Sequence, residues 1–172
     1  MNKKSPGHLA QLKSILQLPF IVLVVIPVLI NYFFNDFRFK PAIDEYVRFF
    51  VAILFFFLGI ALFIQSIILF IKIGSGTLAP WNPTKKLVVR SLYRYTRNPM
   101  ILGVFFILLS ESFFSNSMAI FIWALLFICI NHIYFLFKEE PDLAKRFGNE
   151  YLEYKKNVPR WFPRFKPWNQ SH

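Results

Sequence analysis

Two short polar clusters bracket a long apolar run in this chain. Arg97-Asn98-Pro99 stands at one end and Glu139-Glu140 at the other, with roughly 40 mostly apolar residues between them and a polar break at Ser115-Asn116-Ser117. A segment that crosses a bilayer and returns brings its two ends to one membrane face. A guanidinium, a carboxamide and two carboxylates then meet at one water–lipid boundary, as in a ligand site. The carboxylates suit ribose hydroxyls, an amino group or a basic side chain; a solvated acidic first turn of a helix is the competing reading. Pro99 suits the first position of a helix, whose free backbone N–H groups bind anions. The plain alternative is an Asn cap beside a topology-setting Arg.

Other polar groups are candidates by position. Gly74 and Gly76 follow an apolar run and let backbone approach a ligand closely, although an ordinary turn has the same composition. Asn131 and His132 lie inside an apolar run, and His132 stands two helical turns from Glu139 on a shared face. An ionisable group within the membrane is a functional candidate by default, as is Glu111. An interhelical hydrogen bond for His132 and a wet interface for Glu111 are the bland readings. No spacing of His, Cys and carboxylates points to a metal, and no Ser-His-Asp arrangement or nucleophile elbow is present.

The elements that must position these groups are transmembrane helices. The chain has 172 residues, 56% hydrophobic and 20% aromatic, with 23 Phe, and a mean hydropathy of +0.46. Soluble domains of this size rarely carry so much apolar mass. Four runs account for it: residues 15–34, 49–71, 100–114 and 118–137. About 20 apolar residues span the hydrocarbon. The second and fourth runs suffice, the first spans with a kink at Pro19 and Pro27, and the third is short and needs partners or a thinned bilayer. The first run is longer than a signal-peptide core and lacks a small-x-small cleavage site, so it reads as a retained helix. The expected fold is a single all-α, polytopic membrane domain over 1–172. It has about four transmembrane helices, a loop at 74–99, and short interfacial helices in a C-terminal segment at 138–172.

Net charge is +11, and its distribution sets topology rather than nucleic-acid binding. With four helices, 17 of the 20 Lys and Arg residues fall on the face that holds both termini. The positive-inside rule makes that face cytosolic, next to anionic lipid, and for a prokaryotic chain the membrane is the plasma or inner membrane. Cys129 has no second cysteine to pair with and reads as a small apolar filler. Within the loop, residues 84–96 have the pattern of an interfacial helix, with Lys85, Lys86, Arg90 and Arg94 toward water. After Pro141, helices are expected to Phe147 and again from Asn149 to before Pro159, with Gly148 between them. Leu143, Phe147, Tyr151 and Tyr154 form one stripe. The tail from Val158 mixes aromatic and basic residues.

Residues 72–165 resemble a known membrane family in motif order and spacing. Tyr93-Arg94-Tyr95-Thr96-Arg97-Asn98-Pro99-Met100-Ile101-Leu102-Gly103 is similar to a Tyr-x-x-x-Arg-His/Asn-Pro-x-Tyr-x-Gly motif. Glu139-Glu140-x-x-Leu143, Phe147-Gly148-x-x-Tyr151-x-x-Tyr154, and Val158-Pro159-Arg160 with Pro163 resemble its C-terminal motif. The family is the isoprenylcysteine carboxyl methyltransferases, with their prokaryotic relatives and the phospholipid N-methyltransferases. The resemblance implies S-adenosylmethionine as methyl donor, S-adenosylhomocysteine as product, and a lipophilic acceptor entering from the bilayer. Acceptors in this class are a prenylcysteine carboxylate, a lipid amine or another lipophilic acid.

By the same resemblance the cofactor-binding set is Gly74, Gly76, Tyr93, Arg97, Asn98, Pro99, Ile101, Glu139, Glu140 and Leu143. Tyr93 and the C-terminal tyrosines close the pocket, and Arg160 is the catalytic position, orienting an anionic substrate group. Three positions depart from the pattern: Asn98 stands for His, Ile101 for Tyr, and Ser91 for a frequent Gly. Methyl transfer from a sulfonium is chiefly alignment and desolvation, which accounts for the lack of an acid–base dyad. An NADPH-dependent reductase of the sterol and steroid type shares parts of the C-terminal pattern, but usually has more helices. A non-enzymatic membrane scaffold predicts no nucleotide ligand at all. Oligomeric state is not legible from the sequence.

Overall fold

In the computed structural model the described residues are 16–39, 44–73, 87–169. They form an all-α membrane protein, whose only extended pairing among the described residues is an isolated bridge between Arg38 and Ser117. Helix α1 spans Leu16–Phe33, and α2 spans Glu45–Ile73. Helix α3 covers Pro99–Phe114, α4 covers Met118–Tyr134, and α5 covers Glu140–Asn157. A π-helical turn at Phe135–Glu139 fuses α4 to α5. Among the described residues α1, α2 and the continuous helix Met118–Asn157, made of α4, the π-helical turn and α5, are long and apolar enough to cross a membrane; α3, with 16 residues, is shorter.

Local chemistry sets the helix ends. Asp44 Oδ1 accepts from the backbone N–H groups of Tyr46 and Val47 and so caps α2. Pro99 occupies the first turn of α3. Asn116, at φ 57°, takes the left-handed conformation that ends α3, and Ser117 Oγ accepts from Ile120 N to cap α4. Arg48 reaches across from α2 to donate to the carbonyls of Phe113 (2.7 Å) and Phe114 in the last turn of α3, where Phe113 O also accepts from Asn116 N. Residues 37–39 clasp the same turn through Met118 N to Phe37 O and Phe39 N to Asn116 O.

Both π-helical turns have the same cause. Ile26 N–H bonds to Ile21 O, five residues back, so the next bond in that register would fall to Pro27, which has no N–H. The Val22 carbonyl freed in this way accepts from Trp123 Nε1 on α4 (3.3 Å). In the same way Glu140 N–H bonds to Phe135 O, and Pro141 follows. The helix continues through Pro141 instead of restarting there.

Packing is tightest between α2 and α3. A Cβ placed on Gly59 would lie 2.8 Å from Gly103 O, and one on Gly103 would lie 2.8 Å from Phe63 N. The two backbones touch, as small residues permit in membrane helices. Phe63, Val104, Leu108, Leu109, Ala124 and Phe127 form the core, with α4 on the other side of α3. Phe50, Leu54 and Phe57 on α2, and Leu126, Ile130 and Ile133 on α4, are exposed and face lipid.

Candidate functional site

Glu140 is the hub of the end where α3 begins and α4 finishes. Its buried carboxylate takes Arg97 Nη1 at 2.7 Å and Arg160 Nε at 2.9 Å on Oε1, and Lys155 Nζ lies 2.8 Å from Oε2. Burial alone would raise its pKa, but Lys155, Arg97 and Arg160 together outweigh burial and hold the carboxyl below its ordinary value. Arg97 Nη1 also donates to the Tyr151 hydroxyl (3.3 Å), and Tyr154 donates to Tyr93 O (2.7 Å). The π-helical turn positions this hub, because its extra residue rotates Glu139 and Glu140 relative to α4.

Glu139 is different. Among the described residues no Lys or Arg pairs with it. Burial and then the neighbouring charge of Glu140 push its pKa up to about 7. Burial raises the phenols of Tyr93 and Tyr151 and keeps both protonated, with the nearby carboxylate charge adding to it; Tyr151 is raised to about 12. Arg97 Nε, on the guanidinium that binds Glu140, is buried without a hydrogen-bond partner among the described residues. Among the described residues this end of the bundle thus holds one carboxylate without a cation and one guanidinium nitrogen without an acceptor, with Tyr93 and Tyr151 buried nearby.

A C-terminal strap ties the site down. Arg97 N bonds to Pro159 O, Thr96 Oγ1 to Arg160 O, Arg164 N to Tyr95 O, and Trp168 N to Arg94 O. Arg94 Nε donates to Trp168 O, so it does not face water as the interfacial-helix pattern implied. That pattern is corrected further. From residue 87 the chain is extended, and only Ser91–Arg94 makes a single 3₁₀ turn, because Val88 and Tyr93 pack inward toward Leu69. Ser91 takes φ 49°, which explains the Gly common at this position in the family pattern.

The remaining positions separate by place. Asn98 sits just before α3 with no side-chain cap bond, and Pro99 is buried at its first turn. Ile101 packs against the interhelical core, and Leu143 packs with Tyr151, Tyr154, Val158 and Trp168. Gly74 and Gly76 lie outside the described residues. Arg160 is committed to Glu140 by two of its nitrogens, and its Nη1 meets His132 Nδ1 at 3.0 Å. Trp161 Nε1 donates to the same nitrogen at 3.0 Å. Arg and Trp have no acceptor here, so Nδ1 is bare and the ring proton sits on Nε2. Asn131 bonds within its own helix, to Phe127 O. Glu111 Oε2 is buried and unpartnered among the described residues, at the opposite end of α3. Sequence reasoning missed Lys155 and Trp168. Neither shares a periodicity with Glu140, and only the break at Gly148 (φ 54°, ψ −132°) brings the later part of α5 back over the hub.

No curated protein matches the chain. The family profile for phospholipid methyltransferase matches residues 47–150, from the first turn of α2 past the Gly148 break. That stretch contains the Gly59–Gly103 crossing, the Arg97–Glu140 pair and the lone Glu139. It covers more than half of the sequence, and the chain belongs to the phospholipid methyltransferase family.

Proposed function

We propose that this protein transfers a methyl group from S-adenosylmethionine to a lipophilic acceptor dissolved in the membrane. The observation that carries this reading is the unequal state of two adjacent carboxylates. Among the described residues Glu140 faces three cations, whereas Glu139 pairs with none, and Arg97 Nε is buried without an acceptor. A small zwitterion with a further positive charge fits that arrangement. Its carboxylate suits Arg97 Nε, its cationic groups suit Glu139, and the rings of Tyr93 and Tyr151 suit a sulfonium. S-adenosylmethionine brings an already activated methyl group, so the chain needs to supply alignment and a dry site rather than proton transfer.

In this scheme Glu139, Arg97, Asn98 and Pro99 lie on the cofactor side. Glu140, Lys155 and Arg160 hold α5 and the strap over it. Leu143, Tyr151 and Tyr154 close the wall. Arg160 acts as a positioning residue through Glu140 and His132. The acceptor is a carboxylate of the prenylcysteine kind or a lipid amine, arriving from the hydrocarbon. The site and both chain termini face the cytosol, where the Lys and Arg residues concentrate.

The test is thermal unfolding of the detergent-solubilised protein. S-adenosylhomocysteine at 100 times its Kd stabilises the fold by about 2.7 kcal/mol through binding the folded state alone. NADPH leaves the transition where it is. Stabilisation by NADPH without stabilisation by S-adenosylhomocysteine overturns the reading in favour of a membrane reductase.

A further inference from the structure

The strap at 158–169 displays two aromatic rings that the fold does not use. Phe162 is 84% exposed and Phe165 is 104% exposed. Their exposure is not looseness, because backbone bonds at Pro159, Arg164 and Trp168 fix the strap on either side of them. The side chain of Arg164 also donates back to Asn157 O. A rigid segment that holds two phenyl rings outward presents an apolar surface of defined place.

That place is the edge of the membrane. The Trp161 ring lies 5.8 Å from Phe135 and 6.2 Å from His132. Both partners belong to the last turns of the apolar run that ends at Phe137. Phe162 therefore follows a residue held at the depth where α4 leaves the hydrocarbon. The strap carries Arg160, Arg164 and Lys166 and no acidic residue, and exposed Lys156 precedes it. Aromatic rings with flanking cations match the boundary of an anionic leaflet.

We propose that the strap is an interfacial clasp that inserts Phe162 and Phe165 into an anionic lipid surface. The same strap delivers Arg160 to Glu140, so the grip on lipid and the closure of the ion cluster are parts of one segment.

The test uses the full chain in lipid nanodiscs, with Cys129→Ser as background and a nitroxide label at Phe165→Cys. A label at Asn149→Cys, on the exposed face of α5, serves as the aqueous reference. Accessibility to oxygen and to a water-soluble nickel chelate is measured in phosphatidylcholine discs with and without phosphatidylglycerol. The expected result is a several-fold loss of nickel accessibility at position 165 relative to 149, greater in the anionic discs. Equal nickel accessibility at 165 and 149 in anionic discs overturns lipid insertion and leaves the rings for a protein partner. Equal shielding in neutral and anionic discs overturns the anionic surface. Neither measurement depends on methyl transfer or on cofactor binding.

Discussion

Adjacent carboxylates make opposite contributions to stability here. The Glu139 carboxyl has a folded pKa of about 7 against an ordinary 4.5. Between these values the unfolded chain releases its proton while the folded chain keeps it, so folding weakens as pH rises through that window. Glu139→Gln is expected to raise the melting temperature at pH 8 and leave it unchanged at pH 4. Glu140 is lowered by its cations, so its contribution is present above the ordinary value and lost as pH falls through the folded one. Glu140→Gln is expected to lower stability at pH 8 by about 3–5 kcal/mol, because Arg97 and Arg160 remain buried without their partner. Lys155 is half-exposed and adds little to that figure. Thermal unfolding of both variants at both pH values checks the pair of signs. The sequence shows the acidic pair as a pair. It does not show which member is spent on structure, because the deciding partner Arg160 is 20 residues away across a helix break. Ser91 supplies a second case. Its φ of 49° costs an L-residue roughly 1–2 kcal/mol, and Ser91→Gly should recover about 0.5–1 kcal/mol of it after the entropy that glycine adds to the unfolded chain. Chemical denaturation in detergent measures that difference.

Among the elements, the apolar runs announced the helices well, because length and composition alone decide what can cross hydrocarbon. The π-helical turns were not legible. Pro27 and Pro141 suggest a kink and a helix start, but the register shift ahead of each depends on whether neighbouring packing lets the helix continue. Trp123 on Val22 O is such a support at the first. The α2–α3 crossing went unread, although Ala52, Gly59 and Ser66 stand seven apart on α2 and Gly103 and Ser110 seven apart on α3, and all are buried. Gly59→Ala and Gly103→Ala should each cost about 1–3 kcal/mol through overpacking, as the added methyl meets backbone that cannot move aside. Unfolding in mixed micelles reads that loss, and an unchanged midpoint in both variants contradicts the close crossing. A helix at 84–96 was expected from alternating basic and apolar residues. Over its described part, from residue 87, a single turn at Ser91–Arg94 stands instead, where Val88 and Tyr93 pack toward Leu69 and backbone groups of 94–97 bond to the strap; residues 84–86 lie outside the described residues.

For the whole molecule, the proposed orientation rests on the sequence, where the four-span reading assigns 17 of the 20 Lys and Arg residues to the cytosolic side. A C-terminal green fluorescent protein fusion should therefore fluoresce in a bacterial host, and a C-terminal alkaline phosphatase fusion should be inactive. The reverse pattern inverts the topology and with it the compartment that supplies the methyl donor. The shortness of α3 has a separate meaning for traffic. Sixteen residues rise about 24 Å, while the hydrocarbon layer is about 30 Å thick. Lipid around α3 must either thin to meet it or stand higher than its ends. Where the bilayer thins to meet α3, a lipid headgroup lies nearer the depth of Arg97 than it would beside a full-length span. For the lipophilic acceptor proposed above, such a dimple is a sideways entry that keeps it among other lipids.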